Sequence, residues 1–328
     1  MSQNINFIHQ PVLAARCVAL LGEGVKRAGK EGRALIIDAT LGLGGHSELI
    51  LQTYPQVHLI GIDRDKQALV RASKRLRDYS PRFTAVHATY DAIAQVAQAY
   101  SEVDYPLAGI LMDLGVSSLQ LDDTARGFSY AREADLDMRM DQSQGKTAAD
   151  LLAELSASEL TKILWEAGEE KFASRIARAV VEKRQETPLT SSSQLVEIVR
   201  AAIPAPARRV GGNPAKRTFQ ALRIAVNQEL SILKDAVPRA LDILAPGGVM
   251  VVEAYQSLED RIVKRAFQRV TATVNSDGIP LSEPPRFKLL INGAEKAGEA
   301  EITRNSRAAS VRLRAISKLS EYAERNGE

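Results

Sequence analysis

Cysteine occurs once in this chain, at Cys17, which excludes an intramolecular disulfide and any cysteine-rich zinc site. Histidine is scarce as well. His9, His46, His58 and His87 are scattered without metal-ligand spacing, so no metal centre is expected, and His58 and His87 sit in strand-like runs where structural roles are expected. No apolar run is long enough to cross a bilayer. The start, Met1-Ser2-Gln3-Asn4-Ile5-Asn6, has no basic stretch ahead of a hydrophobic one, so no secretory signal is expected and a cytoplasmic location follows. What is present, 328 residues with 45% hydrophobic and 25% charged, suffices for one large core or two domains.

The most informative stretch is Asp38-Ala39-Thr40-Leu41-Gly42-Leu43-Gly44-Gly45-His46-Ser47. The apolar run Ala34-Leu35-Ile36-Ile37 leads into it and a helical pattern follows, so it reads as strand, glycine turn, helix. Glycine is needed where the turn adopts angles that a side chain forbids and where a ligand approaches the main chain. A second apolar run, Val57-His58-Leu59-Ile60-Gly61-Ile62, ends in Asp63, about twenty residues on, where nucleotide-binding folds place an acid for ribose hydroxyls. Asp65 is the second candidate for that acid.

Dinucleotide sites carry G-x-G-x-x-G over a pyrophosphate, whereas here the spacing is Gly42-x-Gly44-Gly45-His46, with an imidazole where the pattern would keep space open. A ligand without pyrophosphate fits better. S-adenosylmethionine could place its ribose at Asp63 and its carboxylate at the helix start.

Net charge is +3, but the halves differ: residues 1–160 carry 16 Lys plus Arg against 20 Asp plus Glu, and residues 161–328 carry 27 against 20. The basic excess clusters at Arg208-Arg209, Lys216-Arg217 and Arg223, at Arg261, Lys264, Arg265 and Arg269, and at Arg304, Arg307, Arg312 and Arg314. Solvated helix faces often look like this. Several such clusters beside a nucleotide site point towards a polyanionic substrate.

Strand and helix patterns alternate from 34 to 113, with strands expected at 34–39, 57–62, 82–87 and 107–113 and helices at 46–53, 65–78 and 91–100. That alternation implies a parallel sheet flanked by helices. It stops near Leu121. A charged loop and helical patterns follow, notably Ala148 to Trp165 and Lys171 to Arg184, with breaks at Thr187-Pro188 and Ile203-Pro204-Ala205-Pro206. Thr218 to Leu244 reads as one long core helix ended by Ala245-Pro246-Gly247-Gly248, and a strand resumes at Gly248 to Glu253. Gly293 to Arg307 is polar enough for a mobile loop. The economical account is a sheet domain, 1–120 and 217–328, interrupted by an inserted helical domain, 121–216.

The fourth strand ends Ile110-Leu111-Met112-Asp113. Ligands of open α/β sheets sit beyond the carboxyl ends of the strands, so Asp113 should share a crevice with Gly44 and Asp63.

Seven motifs now occur in one order: Asp38-Ala-Thr-Leu-Gly-Leu-Gly-Gly-His46; Gly61-Ile-Asp-Arg-Asp65; Met112-Asp-Leu-Gly-Val-Ser-Ser118 with Gln120-Leu-Asp-Asp123; Arg126-Gly-Phe-Ser129; Leu136-Asp-Met-Arg-Met-Asp141; Arg217-Thr-Phe-Gln-Ala-Leu-Arg-Ile224; and Ser257-Leu-Glu-Asp-Arg-Ile-Val-Lys264. In these motifs, from His9-Gln-Pro-Val-Leu13 to Asn305-Ser-Arg307, the chain resembles the ribosomal RNA small subunit methyltransferase H family. That family methylates N4 of a cytidine in the decoding centre of 16S rRNA, using S-adenosylmethionine. The resemblance implies an α/β fold, a Rossmann-like class I S-adenosylmethionine methyltransferase with a mostly parallel sheet and an inserted all-helical, substrate-recognising domain. It implies a role in rRNA base methylation and ribosome biogenesis, with 16S rRNA in the small subunit as partner; homodimerisation stays open.

Carried over residue by residue, the resemblance assigns cofactor contacts to Gly44, Gly45, His46, Asp63, Tyr90, Asp113 and Gln120, and the glycine turn itself adds Gly42. Three departures stand out: Leu119 where many relatives have proline, Asn213 where histidine is common, and Ala254-Tyr255-Gln256 where Ser-Phe-His is usual. Gln256 can hydrogen-bond but cannot act as a base near neutral pH.

A cytosine amine is a poor nucleophile because its lone pair is delocalised, so an acceptor for its N–H groups is needed. Asp113 is the candidate acceptor, with Asp137 and Asp141 as alternatives. Phe128, Tyr130, Phe219 and Tyr255 are candidates for holding an unstacked base, Phe219 being more consistent with helix packing. Arg139, Arg217, Arg261, Lys264 and Arg265 are candidates for the RNA backbone. Competing readings are a non-catalytic RNA-binding assembly factor, a DNA cytosine-N4 methylase, which the absence of a Pro-Pro-aromatic motif after Asp113 argues against, and a dinucleotide-dependent oxidoreductase.

Overall fold

The structure, a computed structural model, describes residues 11–30, 33–100, 105–130, 133–208, 213–275 and 277–319; His9 and Arg209 lie outside them. In chain order the elements are α1 (Ala14–Ala28), β1 (Ala34–Asp38), α2 (Gly45–Thr53), β2 (Val57–Asp63), α3 (Lys66–Arg75), β3 (Phe83–His87), α4 (Ile93–Ala99) and β4 (Leu107–Asp113). Then come α5 (Ser118–Asp122), α6 (Ala148–Glu154), α7 (Ala157–Gly168), α8 (Ala173–Glu186), α9 (Ser192–Ala202), α10 (Ala205–Arg208), α11 (Lys216–Asn227) and α12 (Glu229–Ile243). The last are β5 (Val249–Ala254), α13 (Ser257–Thr271), β6 (Phe287–Leu289), α14 (Glu299–Arg304) and β7 (Arg312–Lys318). These divide into two compact units, Met1–Gly115 with Leu230–Glu328, and Val116–Glu229.

The first unit is built on one sheet of order β3-β2-β1-β4-β5-β7-β6. The pairs β1 with β2 and β4, β2 with β3 and β4 with β5 are parallel, as the alternation predicted. Strands β1, β4 and β5 are apolar nearly throughout because helices cover both faces. One face buries Ile37, Ile60, Ile110, Met250 and Val252 against Leu233, Val237 and Phe267; the other buries Ile36, Leu59, Leu111 and Val251 against Leu21, Ile50 and Leu313. The chain passes from β1 through β2 and β3, then returns to β4 on the other side of β1. That reversal opens a crevice at the carboxyl ends of β1 and β4.

Strand β7 runs antiparallel between β5 and β6. Gly293 to Arg307, expected as a mobile loop, contains α14 and is tied to the start of α1. The Arg16 guanidinium bonds Glu295, and the Leu13 N–H donates to Glu301 Oε1 at 2.7 Å. Arg312 and Arg314, read as part of a basic cluster, both pair with Asp260.

The second unit is helical among its described residues. Ala148 to Trp165, one pattern in the sequence, forms two helices. Leu155 is extended and Ser156 caps α7 in a box with Glu159. Likewise Thr218 to Leu244 is two helices rather than one, because Gln228 turns left-handed at φ 52° between α11 and α12. Arg223 then closes on Glu229 in a two-bond ion pair. Met138 is also left-handed, at φ 60°. The buried Asn227 amide secures it by donating to Met138 O and accepting from Met140 N–H.

Candidate active site

The glycine turn joins β1 to α2. Gly42 and Gly44 have φ of 52° and 76°, where a side chain would strain the backbone, and a Cβ on Gly44 would also press on Leu76. Asp63, the last residue of β2, reaches back to this turn: Oδ2 accepts from Gly42 N–H at 2.7 Å and Oδ1 from Asp65 N–H at 2.8 Å. Asp65 itself caps α3 by accepting from Gln67 N–H and Ala68 N–H, so of the two candidate ribose acids it is Asp63 that is joined to the turn. Burial pushes the Asp63 carboxyl up to about 6, against the opposing pull of those two backbone hydrogen bonds. Helix geometry leaves the N–H groups of Gly45, His46 and Ser47 without intrahelical acceptors, which favours a carboxylate there.

At the switch point, Asp38 and Asp113 end β1 and β4. Asp38 is buried, accepts from Ser47 Oγ at 2.6 Å, and is held above the usual carboxylate range chiefly by burial. Asp113 is anchored through its backbone N–H, which donates to Thr40 Oγ1 at 2.6 Å. The Tyr255 hydroxyl donates to Asp113 Oδ1 at 2.9 Å, and Oδ2 faces His46 Nδ1 at 3.7 Å. Burial raises this carboxyl too, while the neighbouring His46 and the tyrosine hydrogen bond lower it. Tyr255 is pushed far above its ordinary range, first by burial and then by Asp113, so it stays a hydrogen donor.

Behind His46 lies Glu253 of β5, fully buried, with Oε2 3.3 Å from His46 Nε2. Burial, then repulsion from Asp113, holds it well above the usual carboxylate range. The Cys17 thiol of α1 is also raised, first by burial and then by Glu253 and Asp113. Cys17, His46 and Glu253 each bring a ligand-type atom within 4.8 Å of the others, a convergence that their sequence spacing conceals. His46 Nε2, however, lies 3.0 Å from Val12 O. A carbonyl only accepts, so Nε2 carries the hydrogen and in this state has no lone pair for a metal.

Structure therefore brings together Gly42, Gly44, Gly45, His46, Asp63 and Asp113. Tyr90 follows β3 and packs against the core of the same unit. Gln120 belongs to the second unit, where it completes the capping box of α5 with Ser117. In that unit Phe128 is buried, Tyr130 packs edge-on against Phe219 at 5.9 Å, and Arg139 grips Asp137 through two hydrogen bonds. Asp141 accepts from Ser143 and Gln144, and Arg217 is exposed with Nη1 donating to Glu169 O. Arg261, Lys264 and Arg265 lie exposed on α13 of the first unit. Sequence reasoning missed Thr40, Ser47 and Glu253 and the tie of Tyr255 to Asp113. The partners of that tie are 142 residues apart, and no local pattern announces it.

This geometry agrees with what the chain matches. Residues 6–319 fit the model of the MraW methylase family. The chain belongs to the MraW methylase family. That span covers both units, and the sheet above is the Rossmann-like class I methyltransferase fold expected from sequence. Curated relatives named "Ribosomal RNA small subunit methyltransferase H" include one from Beutenbergia cavernae, 54% identical over 315 residues, covering 95% of this chain and 93% of that protein. Another from Nocardioides sp. is 51% identical over 320 residues, covering 96% and 98%. One from Mycolicibacterium smegmatis is 52% identical over 317 residues, covering 95% and 84%. As a member of the family, the chain is a methyltransferase. Among its described residues, no helix is long and apolar enough to cross a membrane.

Proposed function

We propose that this chain methylates the exocyclic N4 of a cytidine in the decoding centre of 16S rRNA, within the small ribosomal subunit, with S-adenosylmethionine as donor. One observation carries the choice of cofactor. Asp38, Asp63 and Asp113, at the carboxyl ends of β1, β2 and β4, are all held above their ordinary range by burial. So acidic a floor repels a pyrophosphate and suits a cation, which would stabilise the ionised carboxylates. The residues present therefore fit this cofactor and disfavour a dinucleotide. Gly42, Gly44, Gly45 and His46 would receive its amino-acid end, Asp63 its ribose, and Asp113 and Tyr90 would border it. When bound, it supplies an activated methyl on a sulfonium.

The chain's own residues supply position and hydrogen bonding. Asp113 Oδ1 is committed to Tyr255, which leaves Oδ2 to accept an N–H of the target amine. Orientation of that kind can supply up to ~7–11 kcal/mol of the barrier. The alternatives are less suited, since hydrogen bonds from Arg139 outweigh burial at Asp137 and hold it below the usual range, and Asp141 accepts from its own turn. The helical unit is proposed to recognise RNA, with Arg217 and Tyr130 there, while Gln120, proposed as a cofactor contact, is held in the capping box of α5. Arg261, Lys264 and Arg265 add phosphate contacts from α13. Transfer of tritiated methyl from S-adenosylmethionine to small subunits from cells lacking this protein tests the proposal. Label recovered as N4-methylcytidine in 16S rRNA is expected. No transfer by folded, cofactor-binding protein would refute catalysis and favour a non-catalytic assembly role.

A further inference from the structure

Trp165 is the only tryptophan in the chain, and it stands 61% exposed on α7. The buried face of that helix is Leu160, Leu164, Ala167 and Gly168, and the indole is not part of it. An isolated exposed leucine needs no explanation, but so large an aromatic surface left in water is costly unless something covers it.

Its surroundings say what kind of partner would do so. Lys162 lies one turn before it on the same flank and is exposed. One turn later, Glu169 N–H donates to Trp165 O, and Arg217 reaches this helix end by donating to Glu169 O at 3.4 Å. Lys171, two residues beyond Glu169, and Lys216, beside Arg217, are exposed too, as are the acids Glu166 and Glu169. The charge of the whole segment agrees: residues 161–223 hold 12 Lys plus Arg against 6 Asp plus Glu, whereas residues 116–160 hold 4 against 9. An exposed aromatic ring on a segment of net positive charge is how single-stranded nucleic acid is held, bases on the ring and phosphates on the cations.

We propose that Trp165 is a stacking platform for one unpaired base of the RNA substrate, with Lys162, Lys171, Lys216 and Arg217 meeting the flanking phosphates. The inference rests on the RNA-methylating reading above and adds to it a base-binding position remote in sequence from every methyl-transfer residue. It also explains why Phe128, which is buried, and Tyr130, which is packed on Phe219, are not needed for this contact.

Because the protein has one tryptophan, its emission reports on this residue alone. The full chain would be titrated at low salt with a pyrimidine-rich single-stranded RNA, following tryptophan emission and, in parallel, anisotropy of labelled RNA. The expected result is saturable quenching that tracks binding. Trp165→Ala should weaken binding of this RNA and of small subunits by ~5- to 150-fold, Trp165→Phe by less, with affinity for S-adenosylmethionine unchanged. RNA bound without a change in emission, no RNA bound at all, or Trp165→Ala binding like the wild type would overturn the inference. Its failure is separable from that of the functional reading. If wild-type protein methylates small subunits and Trp165→Ala does so with unaltered KM, only the stacking platform is lost; if wild-type protein transfers no methyl, the functional reading falls.

Discussion

Cofactor affinity should fall in mild acid, and Asp63 sets where. Its carboxyl is pushed from 3.8 up to about 6, first by burial, with two backbone N–H bonds opposing. On the proposed placement of the cofactor, ribose hydroxyls donate to the Asp63 carboxylate, so the bound state favours ionised Asp63 and binding must expel the proton wherever it is still held. With a free-state value near 6, affinity at about pH 7.5 is almost unaffected, while at about pH 5 it is reduced roughly tenfold, about 1.4 kcal/mol. Stability has its own sign. A carboxyl raised on folding contributes stability that is present below its unfolded value and lost as pH rises through about 6, so without ligand Asp63 costs the fold about 3 kcal/mol near neutrality. Calorimetry in two buffers of different ionisation enthalpy measures affinity and proton release together. Asp63→Asn keeps one acceptor for two N–H donors and cannot titrate. It should bind ~10- to 100-fold more weakly at neutral pH, with no slope between about pH 5 and 7.5. A flat profile in the wild type would refute the reasoning, and a slope retained in Asp63→Asn would transfer the linkage to Asp38 or Asp113.

Two further expectations concern β5 and the turn after it. Tyr255→Phe removes the hydrogen bond that lowers the Asp113 carboxyl, worth about 1.5–3 kcal/mol to a charged acceptor. The pH profile of single-turnover methyl transfer should therefore move upward, and an unmoved profile would separate Asp113 from the rate. Glu253→Gln replaces a buried acid with its near isostere. Because burial raises the Glu253 carboxyl, wild-type stability from this group declines with rising pH, so the variant should gain relative to wild type in urea melts taken from mildly acidic to alkaline conditions. A variant less stable at every pH would show that the carboxylate has a partner it cannot lose.

Much of this site is legible in local sequence. The strand, glycine turn and helix at 34–53, the acid after β2 and the acid after β4 all rest on residues within a few positions of one another. Their periodicity survives folding because helices and strands close their own hydrogen bonds locally. The breaks at Leu155 and Gln228 were harder. Apolar spacing continues through both, and only the capping box of Ser156 with Glu159 was there to find in the first; the left-handed Gln228 carries no residue signal of the kind glycine gives. The basic tail misled because Arg312 and Arg314 are opposed by Asp260, more than fifty residues earlier, in a pairing that strand β7 creates.

The order of elements, the interruption of the sheet by helices and membership of the family all follow from the amino-acid sequence, because each depends on neighbours along the chain or on motifs in fixed order. What the tertiary structure decided is the state of the groups those motifs carry. Val12 assigns the hydrogen on His46, Tyr255 occupies one oxygen of Asp113, and burial raises Asp63, Asp113 and Glu253. Proton positions and charges depend on which atoms lie within a few ångströms and on how much water is excluded. Those neighbours come from strands and turns up to hundreds of residues apart, so no local pattern encodes them.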